Sequence, residues 1–288
     1  MKHSISPRVL FAVGASLWLL AGSSCKKKTP PTPPVQATVN ATAPAKADKV
    51  PTLEVPKLPP NALTIDGMLD EPAWQTAADT GPFVHPGDGR PQPQSPVRAS
   101  AKLAWDDEAL YFGFVVHDAK PTSPFKPGDL DPHVWEKSSA VELMIQPGDP
   151  KNNKHYYEIQ VDVAGAVWDT RFDDYNKPIT GGPDAASRRF GHQQWRSALS
   201  QGIVVDDEAG TYTVELAIPW SSLPSPQTAV PPRPGDAWRI NLYSFRDGQR
   251  QSLAWSPIRG QGNFHKSSRF GRVTFGGAPS GAPSPATP

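Results

Sequence analysis

Val141-Glu142-Leu143-Met144-Ile145-Gln146 and Tyr156-Tyr157-Glu158-Ile159-Gln160-Val161-Asp162 decide the fold. In both stretches every odd position is apolar, and the carboxylates and amides fall on even positions. Side chains alternate across a strand, so a period of two reads as half-buried strands rather than helix. Ile240-Asn241-Leu242-Tyr243 repeats the pattern, with Asn241 opposite the Ile240/Leu242 face. Outward from these, short runs of β-branched and aromatic residues broken by Gly, Pro, Asn and Asp predict strands at 63–65, 99–105, 110–117, 140–145, 156–163, 167–172, 203–206, 212–218, 238–245, 252–255 and 270–275. Helical turns are expected at 71–78 and 220–223. About ten strands at this spacing predict an all-β chain, a single antiparallel β-sandwich over residues 61–275.

The sandwich then has a face bearing Glu142, Glu158, Gln160 and Asn241. Such a face is either solvated or forms the floor of a site for a polar ligand. The second reading has a specific chemistry. Sugar hydroxyls need planar hydrogen-bond partners such as amides and carboxylates, and the C–H face of a sugar ring packs on aromatic rings.

The 288 residues include 35 Pro and a single Cys, and the net charge is +1 from 29 Lys+Arg against 28 Asp+Glu. One cysteine forms no internal disulfide and no multi-Cys zinc site. The charge is unevenly distributed. Residues 26–60 hold six Lys against Asp48 and Glu54, while 61–275 hold 21 basic against 26 acidic residues. An acidic domain without a basic stripe speaks against nucleic acid as a partner.

Both ends read differently from the middle. Lys2, His3 and Arg8, an apolar run over 9–21 and Gly22-Ser23-Ser24 form a signal peptide over 1–24. Cys25 directly follows, the arrangement of a bacterial lipoprotein whose thiol carries the lipid. Residues 25–60 are then expected to be a lipidated, Pro/Ala-rich disordered spacer, and 276–288, built only of Gly, Ala, Pro, Ser and Thr, a disordered tail. Cys25 would tether the chain to a lipid bilayer in the cell envelope. Lys26 after the cysteine resembles the sorting signal for the outer membrane, with a periplasmic or surface-facing domain.

Leu63-Thr64-Ile65-Asp66-Gly67-Met68-Leu69-Asp70-Glu71-Pro72-Ala73-Trp74 resembles the opening of family 9 carbohydrate-binding modules. Further stretches resemble that family in the same order: Trp105-Asp106-Asp107 with Leu110-Tyr111, Trp135-Glu136 with Val141-Glu142, Tyr157-Glu158-Ile159, Gly165 to Asp169, Glu215-Leu216-Ala217-Ile218-Pro219-Trp220, Gly235 to Asn241, and Phe264-His265 with Arg269-Phe270-Gly271. The resemblance implies a sugar held between two rings, here Trp135 and Phe264, with Glu142 hydrogen-bonding it. Gln261 or Asn263 would supply a loop amide. The hairpin position that is basic in the best-known members holds Glu158 here. Glu158, Gln160, Asn241 and Asn263 complete the carbohydrate-binding set expected for a poly- or oligosaccharide. The resemblance also implies optional structural calcium, for which Asp66, Asp70, Glu71, Asp106 and Asp107 are oxygen ligands of the right type. A monomer is expected.

Catalysis is not expected. Glu142 and Glu158 could approach one another across adjacent strands as the two carboxylates of a hydrolase, but any acidic sheet face offers such a pair. The chain has no G-x-S-x-G, no H-E-x-x-H and no phosphate loop, and its histidines are scattered. Carbohydrate binding in support of carbohydrate breakdown is the expected role. Folds like this one also occur as haem-binding periplasmic redox domains, for which Met144 and His155 would be the ligand candidates, and a surface lipoprotein that binds another protein is a third class.

Overall fold

The computed structural model describes residues 49–129, 131–180, 189–247, 251–260 and 263–278. The signal peptide and Cys25 lie outside them, as do Gln261 and 279–288. Among the described residues the strands in chain order are β1 (Thr52–Val55), β2 (Ala78–Asp79), β3 (Val97–Trp105), β4 (Ala109–Asp118), β5 (Ala140–Gln146), β6 (Lys154–Asp162), β7 (Val167–Asp174), β8 (Gly191–His192), β9 (Ser200–Asp206), β10 (Thr211–Pro219), β11 (Ala237–Arg246), β12 (Gln251–Ala254) and β13 (Gly271–Phe275). Two short helices, α1 (Pro72–Thr76) and α2 (Val134–Lys137), and 3-10 turns at Trp220–Ser222 and Ser267–Arg269 complete them.

The strands form a β-sandwich. One sheet runs β1-β13-β11-β5-β6-β7-β8, with β12 also paired to β11, and the other runs β2-β3-β4-β10-β9. Between them Val141, Leu143, Ile145, Ile159, Val161, Ile240 and Leu242 meet Phe112, Phe114, Val116, Val214 and Leu216 in one core. At one end Trp105, Trp220, Trp238 and Phe275 contact one another edge to face. These tryptophans are core residues, as their apolar neighbours in sequence imply.

Three features depart from the sequence expectation. Residues 63–65 form no strand; the Thr64 amide instead donates to Glu71 Oε1 at 2.8 Å. A strand occurs earlier, within the stretch read as spacer. β1 pairs with β13, and the pairing is parallel in an otherwise antiparallel sandwich. Val55 is fully buried, its carbonyl accepts from Trp105 Nε1 and from the Gly276 amide, and the Leu58 amide bonds the Trp105 carbonyl. The ordered domain therefore begins before residue 61 and reaches past 275. Proline-rich composition hid β1, because its four residues contain no Pro although the flanks do.

The opening Ile65-Asp66-Gly67 turn is clamped onto the second sheet. The Glu215 carboxylate accepts from the Asp66 amide (2.9 Å), the Gly67 amide (2.7 Å) and Trp74 Nε1 (2.5 Å). The chains touch where both lack side chains. A Cβ on Gly202 would stand 2.3 Å from the Asp66 backbone, and one on Gly67, at φ +93°, would stand 2.7 Å from Ile203 N. Gly67 thus supplies both the left-handed conformation and the close approach.

Candidate functional site

The even-numbered face of β5 and β6 is not solvated. Glu142 is 0%, Glu158 5% and Gln160 1% exposed. The same face of the eight-stranded sheet carries Met144, Tyr156, Phe172 and Tyr243, which pack with Ile258, Phe264 and Phe270. Beside them Val134, Ala140, Trp168 and Phe245 form another apolar group, against which Trp135 packs. Between these aromatic banks opens a cleft of about 570 Å³, within the range of small-ligand pockets.

Register explains the floor. Glu142 lies opposite Gln160, Met144 opposite Glu158, Gln160 opposite Trp168 and Glu158 opposite Thr170. Glu142, Gln160 and Trp168 thus form one row across three strands, and Met144, Glu158 and Thr170 the next. Gln160 Nε2 donates to Glu142 Oε2 at 3.1 Å and to Glu158 Oε1 at 2.8 Å, so one amide nitrogen spans both carboxylates. Glu158 Oε2, Gln160 Oε1, Thr170 Oγ1 and Trp168 Nε1 are buried without hydrogen-bond partners. Such orphaned groups cost roughly 1–3 kcal/mol each, and all four belong to cleft-lining residues.

The walls come from α2 and from loops. Trp135, in α2, is half-buried, stacks on His133 at 4.4 Å and meets Trp168 edge-on at 4.8 Å. On the other side Tyr175 stacks on His265 at 3.9 Å, and Asn263 Nδ2 donates to the Tyr175 hydroxyl at 2.6 Å. The Tyr156 hydroxyl lies 2.6 Å from His265 Nδ1, and His265 Nε2 lies 3.6 Å from Glu158 Oε2. Burial raises the Glu158 carboxyl to about 8 and lowers the His265 imidazole to about 3. At neutral pH both are uncharged, so their approach is not an ion pair. Burial also raises the Tyr156 hydroxyl far above its ordinary value. It stays protonated and can donate to Nδ1, which leaves the imidazole proton on Nε2, toward Glu158.

Of the residues expected to bind sugar, Trp135, Glu142, Glu158, Gln160, Asn263 and Phe264 line the cleft. Phe264 does so from a buried position, lying flat on Tyr243 at 3.9 Å. Tyr175 is the more exposed ring on that wall. Asn241 is a correction. It does not line the cleft, because its amide is consumed in the fold: Nδ2 donates to the Tyr243 hydroxyl and the Ser256 carbonyl, and Oδ1 accepts from the Leu242 and Ser256 amides. Asn241 lies on the face that the alternation predicts, but the segment after β12, through Ser256, closes over it. Trp168, Thr170, Tyr175 and His265 are lining residues that sequence reasoning did not select. The hairpin centred on Ala164 and Gly165 pairs Gln160 with Trp168 and Glu158 with Thr170. A tight turn at Gly165 therefore already signals those two. No local signal marks His265.

Met144 lines the cleft and His155 does not. Two buried polar carboxyl side chains on the floor also suit a haem poorly. Among the described residues no group of three or more His, Cys, Asp or Glu side chains is arranged to hold a metal ion. Asp106 instead caps its own turn, accepting from the Glu108 and Ala109 amides and the Tyr111 hydroxyl.

Residues 65–278 match the family model described as carbohydrate family 9 binding domain-like. The fold is similar to that of a putative carbohydrate-binding protein from Bacteroides uniformis, at 20% identity and TM-score 0.59, over 79% of this chain and 100% of that one. It is also similar to a family 9 carbohydrate-binding module from Caldicellulosiruptor kristjanssonii. Solved with cellotriose, that module shows 16% identity and TM-score 0.54, over 82% of this chain and all of its own. Solved with glucose, it shows 16% identity and TM-score 0.52, over 81% of this chain and all of its own. No curated protein matches the chain.

Proposed function

We propose, because this chain belongs to the carbohydrate family 9 binding domain-like family, that it is a non-catalytic binder of poly- or oligosaccharide. The observation that carries the reading is the set of buried, unpartnered polar atoms on Gln160, Glu158, Thr170 and Trp168 inside a cleft walled by aromatic rings. Hydroxyls would satisfy those atoms, and a sugar ring would pack between Trp135 and the Tyr175/Phe264 side. Similar folds solved with cellotriose and glucose are consistent with this chemistry. A hydrolytic role fits less well. The Gln160 amide stands between the two carboxylates, where a hydrolase needs the scissile bond.

Further parts of the proposal rest on sequence. Cys25 carries a lipid that holds the protein in the cell envelope, at the outer membrane, and the charge of Lys26, Lys27 and Lys28 favours an anionic membrane surface. The bound glycan is then a feedstock for carbohydrate breakdown by partner enzymes.

The test is a glycan array with the full chain, followed by titration calorimetry of the best ligand against Trp135→Ala. Loss of one stacking ring should weaken binding by about tenfold or more, or ~1.4 kcal/mol. Because Trp135 is only half-buried, the unfolding free energy should change by less than about 1.5 kcal/mol. A blank array, or unchanged affinity in Trp135→Ala, rejects the reading.

A further inference from the structure

His265 brings to the cleft a polar atom that is held in place and not used by the fold. The loop that carries it is latched to the turn between β5 and β6. Asn153 Nδ2 donates to the His265 carbonyl at 3.0 Å, Asn153 Oδ1 accepts from the Ser267 amide at 2.7 Å, and the His265 amide donates to Asn263 Oδ1 at 3.2 Å. The imidazole lies 9° from parallel with Tyr175, and its side chain is 14% exposed. Backbone and ring are ordered before a ligand arrives, so little ordering cost is left for binding.

The hydrogen of that ring has one place. Tyr156 is fully buried, and among the described residues the partner of its hydroxyl is His265 Nδ1 at 2.6 Å. If the hydroxyl accepted from Nδ1, its own proton would be buried without an acceptor. It therefore donates, and a neutral imidazole then carries its hydrogen on Nε2. Nε2 stands 3.6 Å from Glu158 Oε2, too far for a hydrogen bond. Glu158 Oε2 is itself buried and unpartnered. One oxygen set beside the line between these two atoms, about 2.9 Å from each, can bond both.

Resting on the carbohydrate-binding reading, we propose that one hydroxyl of the bound sugar seats between His265 and Glu158, accepting from Nε2 of the histidine, and that Tyr156 is the positioning residue that keeps the histidine a donor. A hydroxyl suits this seat in either protonation state of Glu158, because it has one proton and two lone pairs. Against a neutral carboxyl it accepts from both Oε2–H and Nε2–H. Its own proton then turns to an acceptor, and Gln160 Oε1 is a buried, unpartnered one on the side chain bonded to Glu158. Against a carboxylate it donates to Oε2 directly. An ether oxygen has no proton and fits the first case alone. Tyr156 does not line the cleft, so its effect on the ligand passes through His265.

The experiment is titration calorimetry of the full chain, with cellotriose and the tightest glycan of the array as probes. His265→Ala should weaken binding about tenfold. His265→Gln, whose amide N–H reaches toward the place of Nε2, should stay within about threefold of the wild type. Tyr156→Phe should weaken binding about threefold without touching the ligand. Nitrogen-15 spectra of the histidine-labelled wild type supply a readout that needs no variant. Nε2 should carry the hydrogen in the free protein, its resonance should move when the ligand saturates, and Tyr156→Phe should mix the two tautomers. A hydrogen on Nδ1, an Nε2 resonance unmoved by ligand, or a folded His265→Ala variant that binds as tightly as the wild type overturns the seat and leaves the carbohydrate reading standing. A blank array together with no binding of cellotriose ends both.

Discussion

Replacing Glu215 by Ala tests how the opening turn is held to the second sheet. Glu215 and Trp74 are 0% and 1% exposed, and the Gly67 amide is buried with them. The substitution leaves Trp74 Nε1–H and the Gly67 N–H as buried donors without acceptors, at about 1–3 kcal/mol each. Part of this returns, because burial pushes the Glu215 carboxyl up, which marks a desolvation cost that the variant no longer bears. A net loss of about 3 kcal/mol follows, in line with breaking a buried charged network. Glu215→Gln keeps one acceptor oxygen but sets an N–H against a donor, so it should lose about half as much. Trp74→Phe removes only one donor, and a double-mutant cycle between positions 74 and 215 should show a coupling above about 1 kcal/mol. The assay is urea unfolding of the full chain with linear extrapolation. Ligand affinity of the folded protein should not change, since Glu215 lies on β10 and does not line the cleft. A Glu215→Ala loss below about 1 kcal/mol, the size of an ordinary surface change, refutes the clamp.

Asn241→Ala should cost about 3 kcal/mol of stability, because it orphans the buried Ser256 and Leu242 amides. The same variant should shift ligand affinity by less than about threefold; a large affinity loss at unchanged stability would return Asn241 to the binding set. The pH profile of stability is set partly by two groups of opposite sign. Between pH 4.5 and about 8 the folded state holds a proton on Glu158 that the unfolded chain releases, so stability falls as pH rises. Between about 3 and 6.5 the folded state lacks a proton on His265 that the unfolded chain binds, so stability rises with pH. Their contributions oppose each other between 4.5 and 6.5, and a decline remains from 6.5 toward 8. Urea titrations across that range should show Glu158→Gln flattening the decline, and an identical slope in the variant would disprove the burial effect.

Much of the molecule is legible without coordinates. Alternation in 141–146 and 156–162 gives the strands and their faces, because the side-chain period of a strand is a local property. The pairing of β6 with β7 is nearly as local, since one tight turn at Gly165 sets it. Trp105, Trp220 and Trp238 are recognisable as core from their apolar neighbours. β1 is not legible: four residues carry little pattern, and the sheet edge at β13 makes them a strand.

By itself, then, the sequence determined the sandwich, its inner face and the row of Glu142, Glu158 and Gln160. It could not say whether that row is open to water or closed into the floor of a cleft, nor that Asn241 on the same face is sealed. Those outcomes depend on what covers the sheet: α2 with Trp135, the loop bearing Asn263 to His265, and the segment after β12. His265 approaches Glu158 across more than a hundred residues of chain, and Trp74 reaches Glu215 across 141. Strand periodicity repeats every two residues and carries no record of such distant partners. Only the closed chain fixes which polar groups are buried, and burial is what converts a polar face into the floor of a cleft.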